Sequence, residues 1–185
     1  MPPSRVRTIT TGWSERAAVL QDFQQYHLTG CEYIAFGALE RAGDAQAIER
    51  AARLSGADRV VATLERSYET PLGKDFEEGT ELSLGQWQKL AVARAYLREA
   101  EVLVLDEPTA ALDAKAEVEV YRQFRDVSEG KTVLLISHRL GSARLADRII
   151  VLEGGQIVGE GSHADLMRGK GLYVRMLGAQ AQWYM

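Results

Sequence analysis

Two adjacent carboxylates, Asp106 and Glu107, stand where an apolar run over 101–105 gives way to Pro108. Paired acids at the carboxyl end of a buried strand are costly unless a cation or a substrate uses them. That edge of an open α/β sheet is also where ligands sit. The chemistry such a pair can do is attack of water on a phosphate: Asp106 would hold Mg²⁺, directly or through water, and Glu107 would polarise the water. Two ordinary acids on a solvated loop are the alternative. Upstream, Ser83-Leu84-Gly85-Gln86 opens a helical stretch. Ser and Gln at this spacing form a capping box, yet the free N–H groups, the hydroxyl and the glycine there also suit a phosphate. Either reading stands on these residues alone. A third polar cluster, Ser137-His138-Arg139, follows the apolar run Thr132–Ile136. On an adjacent parallel strand His138 would face the same edge as Glu107, within reach of a transferred phosphate. His27 and His163 lack such a setting and are read as structural.

The elements that must position these groups are legible from periodicity. The runs 101–105, 132–136 and 148–152 are short, rich in Val, Ile and Leu, and continuous, as expected for strands of one sheet covered on both faces. Between the first two, Ala116, Val120, Phe124 and Val127 recur at helical spacing, with Asp113 as N-cap and Gly130 past the end. Residues 140–146 form a second crossover to the third strand. Gly154-Gly155 between apolar runs marks a hairpin, and 162–167 and 173–182 read as terminal helices. In the first half, Val19-Leu20 is a short strand ending at Gln21-Asp22. The stretch 31–64 is helical, 65–81 is loop, and 83–100 is a long helix.

The chain has 185 residues, a net charge of −4, 46% hydrophobic and 26% charged residues. That composition is ordinary for a globular domain, and its mild acidity argues against a nucleic-acid binder. No apolar run approaches the roughly 20 residues a membrane helix needs, and Met1-Pro2-Pro3-Ser4-Arg5 precedes no signal-peptide core. The single cysteine, Cys31, has no internal disulfide partner, which fits a reducing, cytoplasmic setting.

The order Leu82-Ser83-Leu84-Gly85-Gln86, Leu103-Val104-Leu105-Asp106-Glu107-Pro108-Thr109, Ala111-Leu112-Asp113 and Ser137-His138 resembles the nucleotide-binding domain of ABC transporters, over about residues 17 to 167. The resemblance implies a P-loop NTPase (RecA-like) α/β fold with a parallel sheet core and an α-helical subdomain. It implies ATP and Mg²⁺ as ligands. Ser83, Leu84, Gly85 and Gln86 look like the signature motif that binds the γ-phosphate of ATP held by the opposite subunit; the family usually has Gly where Leu84 stands. Asp106 resembles the Walker B acid that orders Mg²⁺, Glu107 the catalytic base, and His138 the switch histidine. Gln21 resembles the glutamine that contacts Mg²⁺ and water, and Asp113 falls in the segment that crosses the dimer interface. The segments 33–37 and 76–81 are similar to exporter-type members. Implied partners are a second nucleotide-binding domain and a transmembrane permease, which would hold the chain at the inner face of the cell membrane without inserting it.

A phosphate cradle, G-x-x-x-x-G-K-[ST], is expected between a strand and a helix. The Gly-Lys pairs at Gly73, Gly130 and Gly169 would need glycine at Tyr68, Arg125 and Ala164, so none completes it. The expected organisation is thus a core incomplete on its N-terminal side: 1–21 ending the first strand, 22–100 helical subdomain, 101–160 core with Asp106, Glu107 and His138, and 161–185 terminal helices. Such a chain is expected to be incompetent for hydrolysis alone. A non-catalytic interaction protein and a soluble ATPase of the DNA-repair and chromosome-organising type are the alternative readings.

Overall fold

The computed structural model describes residues 16–75, 78–109 and 130–183, which divide into one unit ending at Ile136 and another beginning at Ser137. In the first unit, the apolar runs form a parallel sheet ordered β1 (Arg16–Val19), β2 (Val102–Asp106), β3 (Thr132–Ile136). The register sets Val19 beside Leu105 and Asp106 beside Ile136. Leu103 and Leu105 of the central strand are buried, as are Ala17 and Val19 of β1.

The helical stretch resolves into α1 (Gly30–Ala35), α2 (Ala45–Ser55) and α3 (Ala57–Val61), followed beyond the loop by α4 (Leu84–Leu97). Small residues on α2, namely Ala47, Ala51 and Ala52, let it lie close against α4. Gly56, at φ 71, then turns the chain into α3 where only glycine adopts the left-handed form freely. Gly37 serves a close approach instead: a Cβ there would run into the Arg94 carbonyl of α4. Buried residues surround α4 almost completely, including Trp87, Leu90, Val92 and Leu97, so it is the axis of this unit. Each such large apolar side chain contributes roughly 1.5–3 kcal/mol on burial. Cys31 packs against the same core, and burial, then the Glu69 and Glu32 charges, push its thiol upward. That is the behaviour of a small hydrophobe.

The second unit holds α5 (Leu140–Ala143), β4 (Ile149–Glu153), β5 (Gln156–Gly161), α6 (His163–Arg168) and α7 (Leu172–Trp183). Here one expectation is corrected. Among the described residues the third apolar run does not join the parallel sheet; β4 pairs antiparallel with β5. The cause is local: Gly154 and Gly155, at φ 58 and 78, make the positive-φ turn that folds a strand back on itself. Among the described residues, Leu134 and Ile136 of β3 are 52% and 47% exposed. The crossover 113–128 and its N-cap Asp113 lie outside the described residues. Of the two histidines read as structural, His27 pairs with Asp75, and His163 Nδ1 meets the Tyr173 hydroxyl at 2.8 Å. Among the described residues no helix is long and apolar enough to cross a membrane.

Helix caps give the fold an acid sensitivity. The Thr29 N–H holds the Glu32 carboxyl below its ordinary 4.5, and the Ala47 N–H holds Asp44 below 3.8. The Ser162 hydroxyl does the same for Asp165. Depressed folded values mean that this stabilisation is complete above the ordinary values and is lost as pH falls through the lower folded ones. Thermal melting followed by circular dichroism is therefore expected to shift to lower temperature as pH falls below about 5. A midpoint constant across that range would contradict the assignment.

Candidate functional site

β1 and β2 run parallel and end side by side, so whatever follows each strand is delivered to one edge. Gln21 follows β1 and Glu107 follows β2. The loop Gln21–Gln25, Leu84 and Gln88 of α4, and Glu107 line one cleft of about 470 Å³. The expected site residues Gln21, Leu84 and Glu107 are thus brought together, and Asp106 precedes Glu107 as the half-buried last residue of β2.

Glu107 is held by its backbone. Its φ of 47 is left-handed, a conformation that costs a non-glycine residue roughly 1–3 kcal/mol. Its N–H donates to the Ile136 carbonyl of β3 at 2.9 Å. Its own carbonyl accepts from Gln88 Nε2 at 3.4 Å. The backbone ladder of the sheet therefore extends one residue past β2 and then turns sharply, with Pro108 and Thr109 buried behind it.

The start of α4 shows the capping box in full: Ser83 Oγ accepts the Gln86 N–H at 3.3 Å, and Gln86 Oε1 accepts the Ser83 N–H at 2.8 Å. This does not exhaust the anion-binding capacity. Oγ acts only as an acceptor in the cap, so its proton remains to be donated, and the N–H groups of Leu84 and Gly85 precede the first intrahelical bonds. Ser83 is exposed and Leu84 is 56% exposed, so a phosphate can reach this helix end from outside.

On the other wall, the Tyr33 hydroxyl donates to the Gln24 carbonyl at 2.8 Å. Burial pushes that phenol up to about 12, so it remains a proton donor. Tyr33 in turn packs on Trp87 of α4, with ring centroids 5.3 Å apart. The loop bearing Gln21 is thereby tied through α1 to the helix bearing Ser83. Sequence reasoning missed Tyr33 and Gln88 in these roles. The available signal was a glutamine among Trp87, Leu90 and Ala91, where an apolar residue is the rule.

Of the other expected residues, His138 belongs to the second unit, where it is exposed and its carbonyl accepts from the Gln180 amide. Asp113 lies outside the described residues. Among the described residues no three His, Cys, Asp or Glu side chains form a metal cage. Asp106 and Gln21 do offer oxygen donors at the strand ends. Such a set fits Mg²⁺, which takes one or two protein carboxylates and completes its shell with waters and phosphate oxygens.

Comparison with known proteins gives this geometry a context. A family model described as ABC transporter matches residues 9–110. The subtilin transport ATP-binding protein SpaT of Bacillus subtilis is 44% identical over 160 residues, 86% of this chain and 26% of SpaT. An ATP-dependent lipid A-core flippase of Alcanivorax borkumensis is 43% identical over 143 residues, covering 77% of this chain and 24% of the flippase. The structure of a bacterial Atm1-family ABC exporter with ATP bound superposes with a TM-score of 0.81 at 32% identity, over 91% of this chain and 28% of the exporter chain. The chain thus spans about a quarter of the length of these relatives.

Proposed function

Because the chain belongs to the ABC transporter family, whose ATP-binding domains have the P-loop NTPase fold, we propose that it works as the ATP-hydrolysing module of an exporter, at a site shared by two such domains. The observation that carries this reading is the cleft at the ends of β1 and β2, where Gln21 and Glu107 meet. ATP is the substrate. Glu107 takes the proton of the attacking water, and Gln21 orients that water by hydrogen bonding. Asp106 and Gln21 would hold Mg²⁺, which when bound neutralises charge on the phosphate oxygens. Ser83 and the N–H groups of Leu84 and Gly85 bind the γ-phosphate of nucleotide presented by a second domain, with Gln86 keeping the helix end capped. His138 donates a hydrogen bond to the transferred phosphate, and Asp113 lies at the contact between the two domains.

Residues 1–21, 22–100, 101–160 and 161–185 would then be the end of the first core strand, the helical subdomain, the core proper and the terminal helices. The partners are a second ATP-binding domain and a transmembrane permease domain, which keeps the module at the inner face of the membrane. The chain by itself, whose sequence holds no G-x-x-x-x-G-K-[ST] segment, is expected to bind MgATP weakly and to release no phosphate. Turnover by the purified chain that disappears in Glu107→Gln would overturn that expectation.

The trans role of α4 has its own test. In a dimer that turns over ATP, Ser83→Arg is expected to lower hydrolysis at the facing site by about 10²-fold or more, the scale of losing one preorganised donor to a developing charge. Ser83→Asp supplies a variant that still caps α4 but opposes the phosphate with a like charge. Dimers carrying one variant and one wild-type domain, assayed for phosphate release, separate the two sites. Wild-type turnover at the facing site in both variants would reject the role.

A further inference from the structure

We propose that Gln88 is a positioning residue, holding Glu107 in its left-handed backbone conformation so that the carboxylate is presented to the cleft. Its significance for catalysis rests on reading Glu107 as the base. Gln88 is 4% exposed on α4, among apolar neighbours. Its Nε2 donates to the Glu107 carbonyl, whereas its Oε1 is buried and has no hydrogen-bond partner among the described residues. Turning the amide over would not help, because it would set Oε1 against the Glu107 carbonyl, acceptor against acceptor. A buried acceptor left unpaired is unfavourable. An apolar side chain of the same length would avoid that cost, so packing alone does not account for glutamine here. What the amide uniquely supplies is a donor to the residue whose φ is 47. With the Glu107 N–H bonded to Ile136, this donor grips the second polar group of the same residue. The strained turn is then held on both sides, from β3 and from α4. Removing the Gln88 grip takes away one hold on that turn and shifts Glu107 towards extended backbone, the default for a residue with a Cβ.

The test uses the purified chain with Gln88→Met, which keeps length and removes the amide, and Gln88→Glu, which replaces the donor by an acceptor. Backbone chemical shifts of Glu107 are expected to move from left-handed towards extended values in both. Amide hydrogen exchange at Glu107 is expected to accelerate by at least about tenfold, while the amides of β2 stay protected. The melting midpoint of Gln88→Met is expected to stay level or rise, because the unpaired buried acceptor is gone. A residue that merely fills the core predicts the same midpoint but unchanged chemical shifts and exchange at Glu107. Left-handed shifts and slow exchange at Glu107 in Gln88→Met would overturn the proposal, as would loss of the fold in both variants. Failure of the hydrolase reading is recognisable separately: it would appear as unchanged turnover in Glu107→Gln within the assembled transporter, with the Gln88 variants still releasing Glu107.

Discussion

Glu107→Gln is expected to lower ATP turnover in the assembled transporter by about 10²–10⁴-fold, the range a positioned general base supplies, while nucleotide still binds. The substitution preserves side-chain length and the backbone hold from Ile136 and Gln88, so the cleft keeps its shape. What it removes is the ability to accept a proton from water. Glutamate is also the less natural occupant of a left-handed position, and its retention there at φ 47 is the pattern expected where local strain serves a site. Phosphate release at saturating ATP, paired with nucleotide binding, checks the prediction. Turnover close to that of the unmodified protein would remove Glu107 from the base role. Weakened binding at unchanged maximal turnover would instead make it a contact to the substrate.

Trp87→Ala is expected to destabilise the first unit by about 3–5 kcal/mol, as for other large buried aromatics. Trp87 is 1% exposed and packs against the Tyr33 ring, tilted by 56°; truncation leaves a cavity beside α1. For a chain of this size each kcal/mol lowers the melting midpoint by roughly 2–4 °C, so a fall on the order of 10 °C is anticipated. The effect should reach the cleft. Tyr33 anchors the Gln24 carbonyl, and a loosened Tyr33 releases the loop that carries Gln21. Hydrogen exchange over residues 21–25 should therefore rise below the melting transition, and Trp87→Phe should restore most of both properties. A midpoint within a degree or two of the parent would show that the core closes over the missing ring.

The reach of the sequence is clearest at α4. The Ser83 and Gln86 spacing announces a capping box, and both of its reciprocal hydrogen bonds are present; that motif depends on residues three apart, so local chemistry suffices to specify it. The expected stretch 83–100 overshoots the observed end at Leu97, because fraying ends carry little periodic signal. The run 148–152 was legible as a strand but not as a partner. Its continuous apolar pattern suits a parallel sheet, whereas the glycine turn after it supplies a nearer edge.

Residue types, their order and their spacing determined the α/β class, the family, the strand ends that bear Asp106 and Glu107, and the capped helix start at Ser83. These depend on short-range periodicity and on chemistry carried within a few residues. Tertiary structure alone decided that Gln21 and Glu107 line one cleft with α4, that Tyr33 ties the Gln21 loop to Trp87, and that Gln88 reaches the Glu107 carbonyl. These pairings join residues distant along the chain, and neighbours on α4 and β3 hold the polar backbone groups of Glu107 in its strained turn. No local preference of a glutamate points to that conformation; the packed sheet and helix impose it.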